Sequence, residues 1–240
     1  MSSERSGKLR GAGYVLHTLP WRETSLLAEV LTREHGRIAL MARGARRPRS
    51  PMRGVLRAFQ PLDLEWFGKG ELRTLAKADW GDWQPLLEGQ GLYCGLYLNE
   101  LLLRLLARDD PHPGLYDAYA ATLAALAMRV GDEVSLRRFE LRLLAEIGYG
   151  LALGREAGSE APVNPSHSYV FDPEHGPRVA MSGTNAVQFS GSALAAMAAD
   201  DWSDPATALQ AKALMRLVLS FHLGHQDLHT RKLFREIALP

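Results

Sequence analysis

The sequence predicts an α+β fold: a small N-terminal β-barrel over residues 1–80, followed by a mainly α-helical domain over residues 81–240. Three observations carry this. Short β-prone runs separated by turn residues fill the first 80 positions, and from residue 82 the apolar residues recur at helical spacing. The charge divides at the same place. Residues 1–80 hold 15 Lys and Arg against 8 Asp and Glu, a net +7, while residues 81–240 hold 13 against 19, a net −6. A basic part fused to an acidic part implies that the first faces a polyanion.

The strand signals run in order. Tyr14 to Leu19 is β-prone and stops at Pro20. Leu26 to Thr32 and Arg37 to Ala42 flank a turn at His35-Gly36. After an irregular stretch, Leu62 to Phe67 and Glu71 to Ala78 flank the turn Gly68-Lys69-Gly70. In Leu62-Asp63-Leu64-Glu65-Trp66 apolar and acidic residues alternate strictly, as in a half-buried strand. Five short strands in about 70 residues suit a small antiparallel barrel, and the five-stranded OB-fold, an oligonucleotide binder, has this size.

In the helical part, Leu98, Leu101, Leu102, Leu105 and Leu106 mark one face of a first helix, with Leu96 and Leu103 on another. Glu100 and Arg104 form an i, i+4 pair on what remains. Leu115 to Met128 predicts a second helix. Glu133 to Ile147 predicts a third, with Leu136, Phe139, Leu143 and Ile147 inward and Arg137, Arg138 and Arg142 outward. Residues 148–189 are rich in Gly, Pro, Ser and Asn and predict an irregular insertion with one short strand at Tyr169–Phe171. Asp204-Pro205 is an N-cap and N1 pair opening a helix that Gly224 ends. A last short helix is expected near Thr230 to Ile237.

The single cysteine, Cys94, excludes an internal disulfide and a cysteine-rich zinc site within one chain. The polar stretch MSSERSGKLRG lacks the apolar run of a signal peptide, and no segment approaches the roughly 18 apolar residues of a membrane span. A cytoplasmic location is expected, with no membrane partner.

The densest signal lies in Gly36 to Pro61, which contains Arg37, Arg43, Arg46, Arg47, Arg49, Arg53 and Arg57 and no acidic residue. Guanidinium is planar, presents forked donors to phosphate and stacks on bases. Pro48 and Pro51 forbid a continuous helix there, so a loop beside the barrel is expected to present several of these side chains. An unpaired run this dense repels itself unless an anion neutralises it. Arg137, Arg138 and Arg142 form a secondary basic set. Of the nearby aromatics Trp21, Phe59, Trp66, Phe67, Trp80 and Trp83, Trp66 reads as core, and Phe67, at a turn, is the best base-stacking candidate.

His222, His225 and His229 have helix-compatible metal spacing, but Gly224 interrupts them and no cysteine completes a set. His167 and His175 flank the short strand without partners. No metal or other cofactor is expected. There is no phosphate-binding GxxxxGK[ST] loop, GxSxG or HExxH motif, and no tight carboxylate cluster beside the basic segment. A binding protein rather than an enzyme is therefore expected. Two other readings are a protein-interaction scaffold built on the acidic helical half and an RNA-binding barrel protein.

The order of several short stretches resembles the RecO family of bacterial recombination mediators. They are Glu23-Thr24-Ser25, Leu31 to Gly36, Ala42 to Arg47, Leu56 to Leu62, Gly70-Glu71-Leu72, Tyr97 to Leu102, Leu136 to Leu141, Gly148-Tyr149 and Leu228-His229-Thr230-Arg231. The resemblance implies an OB domain followed by a helical domain. It implies binding of single- and double-stranded DNA, strand annealing in DNA repair, and loading of recombinase onto DNA coated by single-strand-binding protein (SSB). It also implies RecR, the acidic C-terminal tail of SSB and, in some lineages, RecF as partners, and a nucleoid-associated location. The family's basic barrel positions correspond to Arg37, Arg43, Arg46 and Arg47. Many members carry a four-cysteine zinc module where this chain has Gly154 to Met181, a span without cysteine.

Overall fold

The computed structural model describes residues 7–130 and 132–231. Five strands close a barrel: β1 (Leu9–Trp21), β2 (Ser25–Thr32), β3 (Gly36–Ala42), β4 (Pro61–Phe67) and β5 (Leu72–Trp80), in the order β1-β2-β3-β5-β4. This is the OB arrangement. One pair departs from the expected antiparallel scheme, because β5 returns beside β3 in parallel. Closure also needs a longer first strand than the sequence indicated. Leu9 to Tyr14 pairs with β4 and Gly13 to Trp21 with β2, with a bulge between Val15 and His17. Pro20 sits inside this strand near its end rather than stopping it. Alternation along the strands fills the interior with Val15, Val30, Ile38, Leu40, Leu62, Leu64, Trp66 and Leu75.

Helices α1 (Gly89–Leu105) and α2 (Pro113–Met128) belong to the same compact unit, whose described residues are 7–130 and 228–231. The predicted leucines do face inward: Leu98, Leu101 and Leu102 are fully buried. Buried Asn99 fixes α1 on the barrel. Its amide donates to the Leu16 carbonyl at 2.8 Å, and its oxygen accepts from the Tyr119 hydroxyl at 2.5 Å. Tyr14 packs on Tyr116 and Tyr119, with ring centroids 5.5 and 5.2 Å apart. Gly36 turns β2 into β3 with φ +65°, and a Cβ there would lie 2.1 Å from the Asp110 carbonyl oxygen. Only glycine allows both that conformation and that approach.

The segment after α5 starts a helix at His229, and Glu100 caps it from α1. The carboxylate accepts from the backbone N–H groups of His229 and Thr230 at 2.8 and 2.9 Å, and from the Thr230 hydroxyl at 2.7 Å. Arg104 pairs with the same carboxylate at 2.7 Å, and Arg231 lies over the Tyr97 ring at 6.0 Å. The expected helix near Thr230–Ile237 falls mostly outside the described residues.

The described residues of the second compact unit are 132–227. It contains α3 (Asp132–Glu146), α4 (Gly191–Ala198) and α5 (Pro205–His222), with α5 packed against both other helices. The Asp204 side chain caps α5 by accepting from the Ala206 N–H at 2.8 Å. The span expected to be irregular holds a three-stranded sheet: β6 (Ser168–Asp172) pairs with both β7 (Gly176–Val179) and β8 (Gln188–Ser190). Buried Tyr169, Phe171 and Phe189 give it a core. The Tyr169 hydroxyl donates to Glu156 at 2.7 Å and accepts from the Asn164 N–H at 2.8 Å.

Candidate nucleic-acid interface

Residues 43–60 connect β3 to β4 and cross the barrel surface as a chain of tight turns. Backbone bonds recur at short spacing, from the N–H of Arg47 to Gly44, of Ser50 to Arg47, of Arg53 to Ser50 and of Val55 to Met52. Pro48 and Pro51 hold this segment out of a helix. Apolar residues pin it down. Ala45 and Leu56 join the barrel core, and Met52 and Val55 pack against it. Between these anchors Arg43, Arg46, Arg47, Arg49, Arg53 and Arg57 are exposed. Among the described residues none of the six lies within ion-pair distance of a carboxylate. Arg46 also ties the loop to the β1–β2 turn. Its N–H bonds the Thr24 carbonyl at 2.8 Å, and its guanidinium reaches the Arg22 and Glu23 carbonyls at 3.4 Å. That contact brings exposed Arg22 beside the loop, a position the sequence reading omitted because Arg22 lies in a different turn.

Two predicted site residues are not available to a ligand. Arg37 points inward between Glu29, at 3.1 Å, and the Leu106 carbonyl, at 2.9 Å. Burial lowers its pKa despite the opposing pull of Glu29. With Arg108, which also pairs with Glu29, it fastens the loop after α1 to the barrel. Arg137, expected on an outer face, has a side chain only 8% exposed and bonds buried Glu140 at 2.8 Å. Arg138 and Arg142 are exposed but paired, with Asp200 at 2.8 Å and Glu146 at 2.5 Å. The secondary set thus carries its own counter-charges, and the loop does not.

The aromatics redistribute too. Trp66 is fully buried, as expected. Phe67 is 44% exposed and ends β4, and its partner Thr74 on β5 also pairs with Met41 of β3, so it stands near the start of the arginine loop. Trp80 and Trp83 stand at the other end of the loop, where Trp80 pairs with Leu62. With Arg57 and Gln60 they line an open pocket of about 430 Å3.

A metal set fares less well. In the span corresponding to the zinc module, Asp172, Glu174 and His175 bring ligand atoms within 4.8 Å of one another. Asp172 is already occupied, accepting from the N–H groups of Glu174 and His175 at 2.9 and 3.1 Å and meeting the His175 ring at 3.1 Å. These contacts close the β6–β7 turn. The donor set does not fit a cysteine-bound zinc, and the Tyr169 bonds and core hold the segment instead. Among the described residues no helix is long and apolar enough to cross a membrane.

The comparisons with known proteins match this architecture in sequence. Residues 7–82 match the family Recombination protein O N terminal, and residues 87–232 match Recombination protein O C terminal. The DNA repair protein RecO of Aromatoleum aromaticum is 51% identical over 93% of this chain and 94% of its own length. The protein of the same name from Azoarcus sp. is 48% identical over 94% and 95%. That from Dechloromonas aromatica is 49% identical over 93% and 94%. The chain belongs to the RecO family of DNA repair proteins.

Proposed function

We propose that the protein acts in DNA repair as a non-catalytic mediator that binds single- and double-stranded DNA through the β3–β4 arginine loop. It anneals complementary strands and helps load recombinase onto SSB-coated DNA. One observation carries the reading: six exposed guanidiniums on one loop, with no carboxylate in ion-pair distance among the described residues. Contacts of this kind neutralise phosphates without reading bases, so they accept both strand forms and any sequence. Annealing follows from the same chemistry, because two strands repel through their phosphates and a shared cationic surface lowers that repulsion. RecR, the acidic SSB tail and RecF enter as partners on the family resemblance, and a cytoplasmic, nucleoid-associated location follows from DNA as the ligand.

The test is an annealing assay with two complementary labelled oligonucleotides and the full-length protein at low and moderate salt. The expected result is faster annealing than in protein-free buffer, with the gain falling as salt rises. Acceleration that ignores salt, or none at all, would refute the phosphate-bridging reading.

A further inference from the structure

The arginine loop ends at Arg57, and there the surface changes character. Trp83 is 86% exposed and Trp80 49% exposed, and both border the pocket that Arg57 and Gln60 complete. With Leu86, 63% exposed at the same pocket, they make a contiguous exposed apolar patch, and such a patch marks an interaction site. The backbone around it is fixed. Trp80 closes the β4–β5 ladder opposite Leu62, and the Gly81 N–H bonds the Pro61 carbonyl at 2.9 Å. The Gln84 amide donates to the Phe59 carbonyl at 3.1 Å, which holds the connector 81–88 beside the loop. The same Phe59 carbonyl also accepts from the Gln60 side-chain amide at 3.3 Å. The pocket therefore combines flat aromatic faces, a planar cation and side-chain amides in one place, at the end of a cationic track.

We propose that this pocket is a nucleobase-stacking subsite that takes an unpaired base of a single strand whose phosphates follow residues 43–57. The inference rests on the reading of that loop as phosphate-binding. An unpaired base offers a π-face to Trp83 and Trp80, a partner for guanidinium stacking by Arg57, and an edge for the amides of Gln60 and Gln84. A base paired inside a duplex has both faces covered by its neighbours and its Watson–Crick edge by its complement, so it offers no stacking face and only its groove edges. The pocket thus separates single strands from duplex, which the arginines alone do not. Its volume sits at the low end of the range for small-molecule sites, roughly 300–1,000 Å3, as a single base requires.

The test measures binding of a labelled oligothymidylate and a labelled blunt duplex of equal length to full-length wild type, Trp83→Ala and Trp83→Phe. Trp83 is exposed, so neither change threatens the fold. The expected result is about ten-fold weaker single-strand binding in Trp83→Ala. Duplex affinity and the single-strand salt slope stay as in wild type, and Trp83→Phe recovers most of the loss. Unchanged single-strand binding in Trp83→Ala, with a normal wild-type salt slope, would overturn the subsite and leave the arginine loop standing. Equal losses for oligothymidylate and duplex would overturn it as well, because the ring would then be contacting backbone. No binding of either nucleic acid by wild type would overturn the phosphate reading itself, and the subsite with it. Tryptophan emission that differs between wild type and Trp83→Phe supplies the last arm. Quenching by a glutamate-rich peptide, with none by oligothymidylate, would assign the pocket to a protein partner and overturn the proposal.

Discussion

Removing Arg43, Arg47, Arg49 and Arg53 together, as alanines, tests the arginine loop most directly. Arg46 is kept because it holds the β1–β2 turn, and Arg57 because it lines the pocket. For single strands each neutralised phosphate contributes about −0.7 to the slope of log K against log salt. Six exposed arginines, if all engaged, set a slope of about −4, and the two that remain would leave about −1.4. The expected flattening is therefore two to three units by about −0.7 per phosphate. Stability should hold. The apolar anchors Ala45, Met52, Val55 and Leu56 stay in place, and exposed substitutions of this kind change stability by about 0.5 kcal/mol or less each. Loss of like-charge repulsion within the loop acts in the protein's favour. The assay is fluorescence anisotropy with a single-stranded oligonucleotide across a salt series, accompanied by circular dichroism melts. A variant that melts like wild type and keeps the full slope would show that these arginines do not meet phosphate.

Two further outcomes follow from groups that hold the first compact unit together. Arg37→Ala strips a partner from Glu29 and from the Leu106 carbonyl, so urea unfolding should show a loss of about 1.5–3 kcal/mol, while the DNA salt slope stays unchanged. For Glu100, desolvation raises the pKa, but the N–H groups of Thr230 and His229, the Thr230 hydroxyl and Arg104 outweigh it and hold the carboxyl below its ordinary value. A depressed pKa means that this contribution is fully present above about pH 4.3 and is lost as pH falls through the folded value. Glu100→Gln should therefore be less stable than wild type near neutral pH, with the gap narrowing in thermal melts as pH is lowered below the ordinary carboxylate range. A gap that is constant with pH would refute the charge-assisted cap.

What the sequence made legible follows from the range of the interactions involved. Leu62 to Trp66 reads as a strand because one face is buried at every second residue, a pattern local to five positions. Leu98, Leu101 and Leu102 read as a helix face for the same reason. The parallel β3–β5 pair and the length of β1 are set by closure of the barrel, which no local window contains. Arg37 looked like the first member of an arginine run because its counter-charge lies in another strand. The signal was present in the hairpin register: Glu29 opposes Ala39, which puts Glu29 and Arg37 on a diagonal of one face. The Arg137–Glu140 pair had a nearer signal, the i, i+3 spacing on one helix. The four-residue β7 opens on Gly176 and Pro177 and β8 is only three residues long, so neither carries a strand pattern of its own.

The amide of Asn99 has a consequence for how the chain comes apart. It joins the middle of β1 to α1 and α2 through two bonds in a dry interior, where an abandoned partner has no water to turn to. The two family segments meet between residues 82 and 87, yet the compact unit that contains the barrel runs to Val130. A border between matched segments and a border between cooperative unfolding units are thus different lines on this chain. In native-state hydrogen exchange the barrel amides should open together with those of α1 and α2. A protease that cuts the 81–88 connector would then nick the protein without releasing the barrel, and the arginine loop would stay mounted on its support.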